Sequence, residues 1–79
     1  MRLNRLGANK TELELSDGTT LFFSYNTPVA ACLSDGGGFV RTDKRWSVTT
    51  SKHITQWLDG ATAKTTSQGF LDSLASAAR

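Results

Sequence analysis

Cysteine and proline each occur once in this chain, and nowhere is there a long apolar run. A lone cysteine, Cys32, excludes an internal disulfide and any cysteine-based metal cluster within one chain. The opening "MRLNRLGANK" has no apolar stretch of signal-peptide length, and no later segment is long enough to span a bilayer. A cytoplasmic location without membrane attachment is therefore expected. Charge of one sign is also lacking: nine lysines and arginines against seven acids leave a net charge of +2. That is too little to announce a nucleic-acid binder from composition alone. With 79 residues there is room for a single domain, one that buries roughly 60–65% of its unfolded surface. The hydrophobic fraction of 38% suits a compact fold better than a disordered chain.

What charge there is falls into groups. Arg2, Arg5 and Lys10 lie near the start; Arg41, Lys44, Arg45 and Lys52 lie in the middle, interrupted by Asp43. The acids Glu12, Glu14, Asp17 and Asp35 lie between them. The protein is expected to be electrostatically two-sided, which bears on partners rather than on fold.

The segment "TELELSDGTTLFFSY" (11–25) is the clearest structural signal, a hairpin turning at Asp17-Gly18. A two-residue loop would put Leu21 and Phe23 on the face of Glu12 and Glu14. A loop of Ser16, Asp17 and Gly18, with the glycine left-handed, pairs Leu13 with Leu21 instead. Leu13, Leu15, Leu21, Phe23 and Tyr25 then share one face, so this register is the expected one, with Phe22 outward beside Glu12. Pro28 interrupts ladder bonding before a strand over "VAACL" (29–33), and "SDGGG" (34–38) turns the chain into "FVRT" (39–42). "RWSV" (45–48) is expected to be extended, and "RLNRL" to supply an edge strand. Ile54, Trp57 and Leu58 then mark a short helix, capped by Thr50 and stopped by Gly60. "ATAKTTSQG" is expected to be a polar connection. Phe70, Leu71, Leu74 and Ala75 repeat the helical spacing over 70–78, with a cap at Thr66 or Ser67. The expected fold is α+β: a small curled antiparallel sheet of about five strands, one short helix against it, and a C-terminal helix or docked tail. Residues 1–79 form one domain, with the sheet and helix over 11–58 and the tail over 61–79.

No arrangement here announces catalysis. His53 is the only histidine, without a carboxylate three or four residues away, and no ligand spacing for a metal exists. Ser51 and Cys32 are potential nucleophiles, but nothing in the sequence places either beside His53. A hydrogen-bonded helix residue is the plainer reading of His53, and a small buried side chain the plainer reading of Cys32. "DGGG" precedes a strand rather than a helix, which makes it a turn and not a phosphate cradle. Neither an enzyme nor a cofactor is expected. Two binding surfaces remain. Arg41, Lys44, Arg45, Lys52 and His53, near Trp46 and Trp57, resemble the cation–aromatic equipment of nucleic-acid grooves, although such cations also serve to solvate sheet edges. Lys52 and His53 are placed in the first helical turn, where the macrodipole disfavours cations. Conversely, Glu12, Glu14, Asp17 and Asp35, with Phe22 as apolar anchor, would offer an acidic face to a basic partner.

"LSDGTTLFFSYNTPVAA" (15–31) and "RTDKRWSVTTSKHITQWL" (41–58) resemble a family of small phage- and prophage-encoded proteins. Its pattern is a hairpin ending in SY-x-TPVA, followed after a variable loop by RT-x-(K/R)-x-S-x-TTSKHI-x-x-WL. The match covers residues 11–58. One group of similar proteins acts as anti-CRISPRs of the type I-C class. The resemblance implies a monomeric inhibitor in the cytoplasm of an infected or lysogenic bacterium, binding the surveillance complex, through Cas7, and blocking target DNA. The acidic strip would then mimic phosphate spacing, though the +2 charge departs from the acidic balance of a pure DNA mimic. The alternative is a small nucleic-acid-binding or regulatory phage protein using the basic group; the third possibility is an assembly protein.

Overall fold

The computed structural model describes residues 2–77. Its first hairpin follows the expected register. Strands β2 (Lys10–Glu14) and β3 (Thr20–Ser24) pair Leu13 with Leu21 and Glu12 with Phe22. The loop is Ser16-Asp17-Gly18, closed by the Leu15 N–H donating to Thr19 O at 2.7 Å. Gly18 has φ +94°, the left-handed residue that this bulged turn demands. On one side of the hairpin lies β1 (Arg2–Gly7), the expected edge strand; on the other, β4 (Thr27–Leu33) and β5 (Gly38–Thr42). Pro28 does not precede β4 but lies inside it. It sits at an irregularity where Phe22 pairs Ala30 and Phe23 pairs Pro28, so the missing N–H falls where the ladder is already broken.

Helix α1 (Val48–Leu58) crosses back to β6 (Ala63–Thr66), which pairs parallel to β5, and α2 (Gln68–Ala77) ends the described chain. The sheet therefore has six strands in sequential order, antiparallel except for the last pair. β6 replaces the expected polar connection. Its four residues carry no periodicity of their own and become a strand by pairing with β5. "RWSV" is not a strand either. Val48 already begins α1, and Ser47 is its cap, accepting from the Thr50 N–H at 3.1 Å. The helix stops at Asp59 and Gly60, both left-handed at φ 49° and 86°. Ser67 caps α2, its hydroxyl accepting from the Phe70 N–H; Ala78, placed in that helix by the sequence, lies outside the described residues.

The largest departure concerns Phe22. Consecutive strand residues point to opposite faces, yet Leu21 and Phe22 are both fully buried. The sheet is covered on both sides. On one, Phe22, Val29 and Ala30 pack against Ile54 and Leu58 of α1, with Trp57 alongside. On the other, Leu21, Ala31 and Val40 pack against Leu71 of α2, with Leu13, Leu15 and Phe23 at the margin. Tyr25 does not join them. It has left the strand, with φ 59°, and is half exposed. Phe70 is likewise exposed and lies off the Leu71–Leu74–Ala75 stripe.

Candidate functional site

The acidic face lacks its expected apolar anchor. Phe22 is 0% exposed under α1, so it anchors the core and no partner. Glu12 accepts a 2.7 Å hydrogen bond from Trp57 Nε1, and Trp57 in turn stacks on Phe22 with ring centres 5.1 Å apart. Asp17 accepts from the Thr19 N–H and Asp35 from the Gly37 N–H, each at 2.9 Å, so both are turn-formers. Glu14 makes no such side-chain bond among the described residues. The two turns do lie together, since Thr19 Oγ1 donates to Ser34 Oγ.

The basic group divides. Arg41 at the end of β5, with Lys44 and Arg45 in the β5–α1 connection, lines one cleft of about 230 Å³ with Trp46, Thr50 and Ser51. Lys44 Nζ sits 4.2 Å from the centre of the Trp46 ring, a cation–π contact. Asp43 also reaches the cleft, so three cations face one carboxylate there. Lys52 and His53 are elsewhere. With the cap at Ser47 rather than Thr50, both lie in the second turn of α1, and the expected conflict with the macrodipole falls away. Lys52 is exposed on the outer side of the helix beside Val48 and Thr55.

His53 faces the sheet. Its Nδ1 lies 2.9 Å from Ser24 Oγ, which lies 3.2 Å from Thr50 Oγ1; the Ser47 hydroxyl donates to Thr50 Oγ1 at 3.3 Å. Run in one direction, Ser47 to Thr50 to Ser24 to His53, every hydroxyl donates one hydrogen bond and accepts another, and Nδ1 is the final acceptor in the tautomer with its proton on Nε2. Ser24 is 2% exposed, and these bonds form a pin between α1 and β3. Cys32 is half-buried rather than buried, and is no part of it. Among the described residues, no three histidine, cysteine or acidic side chains come together as a metal site, and no helix is long and apolar enough to cross a membrane.

Sequence reasoning missed Gln68. Its Nε2 donates to Pro28 O at 2.7 Å and to Asp72 Oδ1 at 3.0 Å, while Oε1 accepts from Thr42 Oγ1 at 2.7 Å and Trp46 Nε1 at 3.1 Å. One amide, with all four of its bonds made, ties α2 to β4 and β5 and holds the Trp46 ring at the cleft. The residue stands in a polar stretch without periodicity, and nothing local marks it.

A model of a family of unknown function, DUF8033, matches residues 1–73. The chain belongs to that family. The matched residues take in all six strands of this chain, α1 and the first six residues of α2. No curated protein and no solved structure matches the chain.

Proposed function

We propose that this protein works by binding rather than catalysis, and that the Arg41–Lys44–Arg45–Trp46 cleft holds the phosphate backbone of a nucleic acid. The observation that carries this reading is convergence: three cations and an exposed indole meet in one concavity with a single carboxylate, Asp43. Cations in a cleft beside an aromatic ring are what a nucleic-acid strand requires. The test is fluorescence anisotropy with labelled oligonucleotides. Affinity should fall about twentyfold for a single strand, or about fortyfold for a duplex, between roughly 50 and 200 mM salt, as three phosphate contacts require. Arg45→Glu, at an exposed loop position, should abolish binding at low salt without changing the melting temperature. Salt-independent binding, or none at low salt, sinks the proposal.

A second reading keeps the type I CRISPR surveillance complex as partner, Cas7 included. It is favoured by the resemblance, because the "RTDKRWSVTTSKHI" block supplies both the cleft and the first turns of α1. The cleft would then meet an acidic patch on the complex instead of its basic path. Co-elution with the purified complex, lost in Arg45→Glu, would support it over the first reading if oligonucleotides do not bind.

A further inference from the structure

Trp46 lines two clefts, not one. The cationic cleft adjoins a second of about 220 Å³ that shares Trp46 and Thr50 with it and runs past Ser47 to Ser24, Thr27 and Tyr25. The path thus begins among cations, passes Trp46, a residue 41% exposed, and ends at Tyr25, 50% exposed. Ser24, Thr27, Ser47 and Thr50 line the stretch between the two rings.

Tyr25 is held there at a cost. It occupies the first position of a two-residue turn between Ser24 and Thr27, with φ 59°. A left-handed backbone is unfavourable for a bulky residue, and glycine or asparagine is the usual occupant. The turn is fixed by the Tyr25 N–H donating to Asn9 O at 2.7 Å, and the ring leans on His53 with centres 6.0 Å apart. Strain of this kind at an exposed aromatic is an observation that asks for a use.

Resting on the nucleic-acid reading above, we infer that the joined clefts form a groove for single-stranded nucleic acid, one base stacking on Trp46 and another on Tyr25. Duplex DNA keeps its bases stacked on each other and has no free face to offer these rings. A single strand has, and stacking on aromatic platforms is how proteins hold it without reading sequence. Gln68 and Lys44 steady the indole in the groove, and His53 backs the phenol.

The experiment compares a short labelled oligothymidylate with a duplex of equal length, for the parent chain and for Trp46→Ala, Trp46→Phe, Tyr25→Ala and Tyr25→Gly. The single strand should bind more tightly than the duplex. Trp46→Ala and Tyr25→Ala should each weaken it about tenfold, with duplex binding unchanged. Trp46→Phe, which keeps a platform, should restore most of the loss. Tyr25→Gly removes both ring and strain, so it should bind as weakly as Tyr25→Ala while melting at the same temperature as the parent or higher. Equal affinity for both forms, or full single-strand binding by Trp46→Ala and Tyr25→Ala, overturns the groove; a continued requirement for Arg45 would then leave the electrostatic proposal standing. Binding of neither form overturns both.

Discussion

Glu12 shows how one residue's environment decides between a contact surface and a structural role. It lies on the same strand face as Glu14, and by spacing alone the two belong to an acidic strip. The side chain is half-buried beside α1, and its partner is the Trp57 indole, whose ring is wedged between Phe22 and the edge of Phe39. Removing the carboxylate leaves a half-buried N–H without its charged acceptor. Glu12→Ala should therefore destabilise by roughly 1–3 kcal/mol, and Trp57→Ala by about 3–5 kcal/mol, since it empties the space over Phe22; urea denaturation gives both values. The double variant should lose less than the sum, because the bond is counted in each single change. An additive result would show that the hydrogen bond contributes nothing. Charge reversal at Glu12 consequently reports on folding before it reports on any partner, whereas Glu14→Lys is the cleaner probe of the acidic side. The stripe of Trp57 with Ile54 and Leu58 was readable from the chain; its reach across forty-five residues to Glu12 was not, because only the docking of α1 brings the two together.

At the scale of elements, most of what was legible is local. The bulged hairpin followed from the demand that Leu13 and Leu21 share a face, and the two helices followed from their apolar stripes. The start of α1 was harder. Ser47, Thr49, Thr50 and Ser51 are all competent caps by residue type, and sequence alone does not rank them. The structure assigns the cap to Ser47 because the Thr50 hydroxyl is needed within, where it meets Ser24. Ser47→Ala should cost about 1 kcal/mol and Ser47→Gly only a few tenths, the signature of a cap. Thr50→Val keeps the shape but removes a buried hydroxyl from the chain of bonds to His53, and should cost more than Ser47→Ala, roughly 1–3 kcal/mol. Chemical denaturation ranks the three; a Ser47→Ala variant as stable as the parent would return the cap to Thr50. β6 was invisible for a different reason. "AKTT" is polar and half exposed, and it is a strand only because α1 delivers it to the free edge of β5. The same limit applies to the proposed groove: Arg41, Lys44 and Arg45 lie close in the sequence, but Tyr25 and Gln68 reach Trp46 only through tertiary placement.

Across the whole molecule, the sheet is one layer shared by two thin cores. Its radius of gyration, 11.3 Å, is close to the value of about 11.6 Å expected for a compact chain of this length. Neighbouring residues of β3 and β4 serve opposite sides: Leu21 beside Phe22, Ala31 beside Ala30. The continuous apolar runs "LFF" and "PVAA" are the sequence signature of strands buried on both faces, and they are what the single-sided expectation overlooked. This arrangement makes the two cores interdependent. Neither side can come apart without freeing strand residues whose neighbours hold the other side, so the chain should unfold in one step. Ile54→Ala acts beneath α1 and Leu71→Ala beneath α2, each creating a cavity worth about 2–5 kcal/mol in a domain whose total stability is on the order of 4–12 kcal/mol. Trp57 lies only on the α1 side, and in a Trp46→Phe background its fluorescence reports that side alone. If the cores are coupled, Leu71→Ala should shift the Trp57 unfolding midpoint in urea as it shifts the far-ultraviolet dichroism, although the cavity lies across the sheet. A Trp57 transition left at the parent midpoint while the dichroism moves would mean that the two faces melt separately. The sheet would then be two half-domains sharing a backbone rather than one cooperative unit.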